Sequence, residues 1–492
     1  MEEKTNKTTE TTTKARTETK QDKQEYRKNM MLVEPMRRII PKMAWPCIVS
    51  FVISSIYNLA DTYFVSSLGT DATAAVSVNS SLDSIVMLAG SLFAIGAASF
   101  IARLLGAKQE EHASRVLSTS LFLAMGLGLV ILIAGVVFIK PLVRLLGATD
   151  ACEQYAIDYA RYVLLVAPFM SANFVMNACL RSEGSATLSM IGMGFGGVLN
   201  CFLDHLFIFK FGLGVAGASM ATAISKLVSF GILIVPYLTG RSLLRLRLSN
   251  FRPTFAMLKE TLSIGSSSAF RMLLNIVAAI VLNKLAGGIS DSVLAGVGVC
   301  NKIMMFPFGF VLGFGTGFEP VAGFNWGAKR FDRVMESYRF ASRTAIIGSA
   351  LMAALLALGA RWIVSLFSVN DAELVWFGAL CIRLQCIALP LHAWSTVINM
   401  LCSGLGYAKN AFFIATARQG TCFLPITYPL FLLFGAVGLA SVQAVADALT
   451  MAIALPLLYK VLKDIRWNIR VMAEGKGEAA LRGPRANVPA KE

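Results

Sequence analysis

The chain has 492 residues, 56% of them hydrophobic and 15% charged, with a formal net charge of +16 and a mean hydropathy of +0.64. That balance excludes a water-soluble globular protein, because it leaves more apolar surface than such a protein hides, and it names lipid as the solvent. The excess of Lys and Arg then reads as topology and attraction to anionic headgroups, not as a nucleic-acid surface, since no basic stripe falls on a water-soluble domain.

Residues 1–40 are rich in Lys, Thr, Glu and Gln and lack the apolar run of a signal peptide, so they read as a disordered cytoplasmic tail. Twelve apolar runs follow, each long enough for the roughly 20 helical residues that a bilayer requires. They are 43–66, 76–102, 117–139, 159–180, 187–209, 213–238, 258–284, 293–325, 340–362, 374–402, 410–434 and 437–459. The first six form an N-lobe (41–240), a basic cytoplasmic loop follows (241–258), the last six form a C-lobe (259–462), and 463–492 is a second cytoplasmic tail. Pro307 and Pro320 predict a bend in the eighth run.

Alternating the loops from a cytoplasmic N-terminus gathers most Lys and Arg on the inside, including Arg241, Arg245, Arg247, Arg252 and Lys259, then Lys329, Arg330, Arg333, Arg339 and Arg343. Six spans per lobe, an even number, make the two lobes parallel repeats with a central cleft between them. The fold class is therefore an all-α integral membrane protein of twelve transmembrane helices in two six-helix repeats. The repeat is visible in the letters. Val76-Ser77-Val78-Asn79 through Gly106-Ala107-Lys108 recurs as Val297-Gly298-Val299-Cys300 through Gly327-Ala328-Lys329, about 221 positions later, and nearly the same offset relates Gly184 to Gly406 and Gly217 to Gly438.

The copies differ in their acids. Asp61 and Asp204 have Leu282 and approximately Pro425 as counterparts, so one lobe is equipped to handle an ion and the other is not. At about 1.5 Å of rise per residue, Asp61, Asp204 and Thr222 lie about 9–14 Å from the outer ends of their three spans. Asn200 shares a helical face with Asp204, and Asn58 lies three residues before Asp61. Two carboxylates, an amide oxygen and a hydroxyl suit Na⁺, and one of two such carboxylates can equally hold a proton at neutral pH. Intramembrane acids are costly and usually functional, although each of these can also serve only as a cap or local partner.

Other buried charges are secondary candidates. Arg271 and Glu319 are placed to pair, Asp447 sits mid-span, and Lys226, Lys302, Arg383 and Arg418 snorkel or pair locally. Asp83, near the start of the second run, reads as solvated, and His205 as packing. Met304, Phe306 and Phe308 are candidates for a soft aromatic cleft wall that suits organic cations, or for ordinary core. The nine cysteines show no zinc spacing, and there is no Walker A, GxSxG or HExxH motif. An enzyme, a cofactor and an ATP-driven pump are thereby disfavoured, leaving an ion gradient (H⁺ or Na⁺) as the energy source.

The run Tyr57-Asn58-Leu59-Ala60-Asp61-Thr62-Tyr63-Phe64-Val65, the turn Leu180-Arg181-Ser182-Glu183-Gly184, the helix Leu199-Asn200-Cys201-Phe202-Leu203-Asp204, and Pro320 with Asn325-Trp326-Gly327-Ala328-Lys329 resemble the multidrug and toxic compound extrusion (MATE) family across 35–465. The resemblance implies two six-helix lobes and antiport of cationic or amphipathic drugs against inward H⁺ or Na⁺, by a monomer in a bacterial inner membrane. In the DinF-like prokaryotic branch it implies a cation site at Asp61, Asn200, Asp204 and Thr222. Glu319, where a Gln is usual, and Asp447 depart from that pattern and leave room for a second protonation site. The alternative reading is a lipid-linked oligosaccharide flippase of the same superfamily, in which Arg271, Lys302, Arg383 and Arg418 would line a cationic cleft.

Overall fold

In lipid every backbone N–H and C=O must find its partner within its own segment, so apolar runs of this length become helices. The computed structural model describes residues 25–484 except 368–370, and leaves out the side chains of Thr62, Ser66, Thr70 and Asp71. A helix over 25–33 (α1) leads into α2 (Met36–Ser66), α3 (Thr70–Gly106), α4 (Glu110–Val137), the short α5 (Ile139–Leu145), α6 (Glu153–Ser182), α7 (Ala186–His205) and α8 (Gly214–Leu238). The second half holds α9 (Phe255–Gly287), α10 (Asp291–Gly327), α11 (Phe331–Ser365), α12 (Ala372–Leu405), α13 (Ala408–Thr416) and α14 (Phe423–Ala473). Two π-helical turns interrupt this pattern, Leu206–Lys210 after α7 and Ala417–Thr421 after α13.

Among the described residues eleven helical stretches are long and apolar enough to cross a membrane, and the last of these spans 66 residues, Ala408–Ala473. At a rise of about 1.5 Å per residue that is about three times a ~30 Å hydrocarbon core. Gly435, at φ 56° and ψ −129°, breaks it into two passes, which makes twelve crossings. In the eighth run α10 is one continuous helix that contains both Pro307 and Pro320.

The two halves repeat each other in backbone detail. Lys108 and Lys329, about 221 positions apart, are the two non-glycine residues with positive φ among those described (61° and 58°). Gly184 and Gly406 terminate equivalent helices at φ 82° and 89°. The halves also grip each other reciprocally. A Cβ on Gly106 would overlap the Phe324 carbonyl, and one on Gly327 would overlap the Arg103 carbonyl. Only glycine lets α3 and α10 cross that closely.

These contacts lie at the end of the bundle that carries both termini. Asn325 Nδ2 donates to the Met31 carbonyl at 3.2 Å, and Trp326 Nε1 donates to the Pro484 carbonyl at 3.0 Å. One large apolar core joins the halves there, from Met30 and Ile40 through Phe100 and Leu180 to Phe318, Leu401 and Ile465. Toward the other end the core divides. One cluster, around Val78, Val163 and Ile208, belongs to the first half alone, and another, around Val297, Phe377 and Leu389, to the second alone. The halves are therefore sealed at the terminal end and separate at the far end, with a cleft opening away from the termini.

Two expectations about the tails need correction. Residues 25–33 and 36–40 are helical, with Met30, Met31, Met36, Ile39 and Ile40 all buried. Their apolar side chains fill the sealed end of the core, which a composition average over 1–40 conceals; residues 1–24 lie outside the described chain. Likewise α14 runs on to Ala473, with Ile465 and Asn468 fully buried, and the segment after it docks back. Asn468 and Arg482 exchange two 2.8 Å hydrogen bonds, and Lys329 pairs with Glu478.

Candidate functional site

The far half of the N-terminal core encloses a polar cluster drawn from five helices. Asn200 and Asp204 lie one turn apart on α7, both buried (3% and 0% exposed). The Asn200 amide nitrogen donates to Asp204 Oδ1 at 3.4 Å and to Thr222 Oγ1 on α8 at 3.3 Å. Asp61 on α2 is half-buried, and its charge acts on Asp204. Asp61 Oδ1 and Asp204 Oδ2 are both buried without a hydrogen-bond donor. Buried polar atoms are nearly always satisfied, so two buried acceptors without a donor in one neighbourhood mark this cluster as a candidate site.

Of the sequence candidates, Asp61, Asn200, Asp204 and Thr222 are thus brought together, whereas Asn58 is exposed on α2. The amide of Asn200 presents its nitrogen and not its oxygen, so a metal ion would require the flipped amide, while a proton would not. Among the described residues no three His, Cys, Asp or Glu side chains converge tightly enough to hold a metal by themselves. Na⁺ at Asp61, Asn200, Asp204 and Thr222 would therefore depend on the two neutral ligands.

Two members of this neighbourhood escaped the sequence reading. Tyr159 on α6 is 3% exposed, lies close to Thr222, and feels the charges of Asp61, Asp83 and Asp204. Asp83 is not solvated as expected: its Oδ1 is buried and has no partner, and Asp61 acts on it. The signal was the helix start. Gly69, at φ 111°, ends the preceding turn and α3 begins at Thr70, six residues before the apolar run, which places Asp83 about 20 Å along its helix and not near its start. His205 does pack as expected, its ring 5.5 Å from Phe209 and 6.1 Å from Phe64.

The C-terminal half treats its charges differently. Asp447 accepts from Arg418 Nε at 2.6 Å and from Gln443 at 3.3 Å. Arg418 also lies 4.7 Å over the Phe308 ring, which packs 5.1 Å from His392. The expected Arg271–Glu319 pair is not formed. Arg271 Nη2 donates to Ser268 at 3.2 Å, while Glu319 accepts from Ser403 Oγ and sits at the seam where Ser99 of the first half donates to the Ser403 carbonyl. Lys302 and Arg383 are exposed, whereas Arg418 is paired with Asp447 and lies close enough to Arg271 for the two charges to act on each other. Met304 is fully buried in the C-terminal core and is no cleft wall, and the face of Phe308 is taken by Arg418; Phe306 is 39% exposed.

At the sealed end, Arg103, fully buried on α3, bonds Glu260 on α9 across the two halves at 2.7 Å. Glu183 lies in the turn after α6, where burial raises its pKa and Ser242, Arg27 and the Leu243 N–H pull it partly back. A cavity of about 300 Å³ at this end lies under the docked C-terminal segment, between Lys108 and Lys329, remote from both polar clusters.

Comparison with known proteins agrees with this architecture. The multidrug export protein MepA of Staphylococcus saprophyticus is 27% identical over 420 residues, covering 85% of this chain and 92% of its own. MepA of Staphylococcus aureus strain N315 is 26% identical over 443 residues, covering 90% and 97%. Among solved structures, a MATE in complex with MaL6 superposes with a TM-score of 0.84 at 25% identity, covering 89% of this chain and 99% of that one. The outward-facing conformation of a multidrug resistance MATE transporter of the MOP superfamily gives 0.83 at 26%, covering 89% and 98%. The MatE family model matches residues 46–206 and 267–429, once in each repeat. With two matched halves, twelve helices and a divided far end, the chain belongs to the MatE family of membrane transporters.

Proposed function

We propose that this protein is a cation-coupled antiporter that exports organic cations or amphipathic drugs, working as a monomer in a bacterial inner membrane with both termini in the cytoplasm. The observation that carries the reading is the buried cluster of donor-less carboxylate oxygens in the N-terminal half, beside a cleft open at one end only. The basic residues Arg241, Arg245, Arg247, Arg330 and Arg339 lie near the sealed end, so the positive-inside tendency puts the cleft mouth outside. The described state is then the one that takes up H⁺ or Na⁺ from outside and releases drug.

Entry of the ion supplies the missing partner of Asp61 and Asp204 and neutralises the cluster. Because Asp61 is on α2, Asp204 on α7 and Thr222 on α8, neutralisation changes the attraction among three helices that border the cleft. Coupling requires only that ion and drug favour different states of the same helices. The names of the MepA relatives support drug export as the direction of transport.

The test is ethidium movement in proteoliposomes under an imposed H⁺ gradient, then an Na⁺ gradient. Asp204→Asn should fold normally and lose gradient-driven transport, and the gradient that drives the wild type names the ion. Full transport by Asp204→Asn would remove the site from the mechanism.

A further inference from the structure

One charged side chain next to this cluster has no role in the arrangement above. Lys226 lies on α8, four residues after Thr222 and therefore on the same helical face. Its Nζ donates to Tyr57 Oη at 3.3 Å and stands 5.2 Å from the centre of that ring. Tyr57 is on α2, one turn before Asp61. The Lys226 backbone is held by Asn173 of α6, whose amide donates to its carbonyl at 2.9 Å.

Asp83 on α3 is near enough to interact with Lys226 electrostatically, and each acts on the other. They are nevertheless not paired: among the described residues Lys226 makes no ion pair within 4.0 Å, and Asp83 Oδ1 has no donor at all. An ammonium resting on a neutral hydroxyl beside a donor-less carboxylate oxygen is a mismatch in which each group lacks what the other offers. A four-carbon lysine stem with three rotatable donors can exchange partners without movement of the backbone. The other titratable groups of this cluster are Asp61 of α2, Tyr159 of α6 and Asp204 of α7, and Tyr159 interacts with Asp61, Asp83 and Asp204.

We infer that Lys226 is a tethered counter-cation of the coupling site, with two stations, the Tyr57 hydroxyl and the Asp83 carboxylate. It competes by charge with the transported ion. An ion held at Asp61 and Asp204 repels the ammonium toward Tyr57, and departure of the ion lets it move to Asp83. Since Tyr57 belongs to the helix that carries Asp61, the position of Lys226 tells α2 whether the site is filled. This role rests on the coupling reading of the N-terminal site and specifies how the site lets its ion go.

The experiment uses the full chain in lipid nanodiscs, with radiolabelled Na⁺ binding and proton uptake into an indicator buffer as readouts. Lys226→Met removes the competitor and should tighten ion binding measurably, whereas Lys226→Arg should bind like the wild type. Tyr57→Phe removes no charge but abolishes one station, so it should weaken ion binding several-fold, and that loss should vanish in the Lys226→Met background. Wild-type affinity in Tyr57→Phe, or an equal loss with and without Lys226, overturns the inference and leaves the coupling reading standing. If Lys226→Met does not fold, Lys226→Gln takes its place. Absence of any Asp204-dependent ion uptake by the wild type overturns the coupling reading itself, and this inference with it.

Discussion

In the C-terminal half, Asp447 and Arg418 face each other at 2.6 Å, with Gln443 completing the carboxylate and Phe308 backing the guanidinium. In the N-terminal half, Asp61, Asp83 and Asp204 each keep a buried oxygen without a donor, and the one nearby ammonium rests on a tyrosine. Both halves bury charge at comparable expense, but only one has satisfied it internally. A closed ion pair needs no further partner, whereas the open carboxylates of the N-terminal half are the ones proposed to take a proton or a cation. The difference between the lobes is therefore not the presence of intramembrane charge but whether the partner is covalently part of the chain.

That contrast can be broken directly. Asp447→Asn strands a mostly buried arginine, and losing one partner of such a pair costs about 3 kcal/mol, so a clear fall in thermal stability in detergent is expected, in contrast to Asp204→Asn. Loss of ion coupling in Asp447→Asn without loss of stability would mean that the C-terminal pair is also a working site.

The next largest effect concerns what the halves share. Gly327→Ala drives a Cβ into the Arg103 carbonyl across the seam, an overpacking that costs about 1–3 kcal/mol. Since only the sealed state makes this contact, spin-label distances across the terminal end should lengthen in the variant. Unchanged distances would show that the seam is not what holds that end closed.

The smallest effect is at Glu183, whose counterpart in the second half is the fully buried Leu405. Burial raises the Glu183 pKa above 4.5. Its favourable contribution is then complete below 4.5 and is lost as pH rises through the folded-state value. Glu183→Gln does not titrate, so the wild-type melting temperature should drop relative to the variant as pH is raised from below 4.5. A difference that stays constant with pH would remove Glu183 as a source of asymmetry between the lobes.

Much of this was legible in the chain. Hydropathy gave twelve crossings because backbone satisfaction in lipid leaves few alternatives, and the Gly-Ala-Lys repeats marked equivalent turns at Lys108 and Lys329. The approach of Asn200, Asp204 and Thr222 could be anticipated because helical rise alone sets depth. Asp83 was misread because α3 starts at Thr70, in polar sequence. The Arg418–Asp447 pair and the Lys226–Tyr57 contact join different helices, and no spacing rule along one helix reports which side chains meet across two. The helical 25–33 and 36–40 and the continuation of α14 were hidden by averaging, since a few methionines and isoleucines decide burial in segments that are otherwise charged.

The reciprocal overlap of Gly106 and Gly327 has a consequence for how a duplicated chain can drift. Where the copies touch, a change in either is felt by the backbone of the other, and both copies retain Gly-Ala-Lys there. Where the cleft parts them, neither copy constrains its twin, and it is in that region that an aspartate faces a leucine across the duplication. The geometry of contact thus maps the freedom of each half to specialise, and the open carboxylates lie in the first half where its twin no longer constrains it.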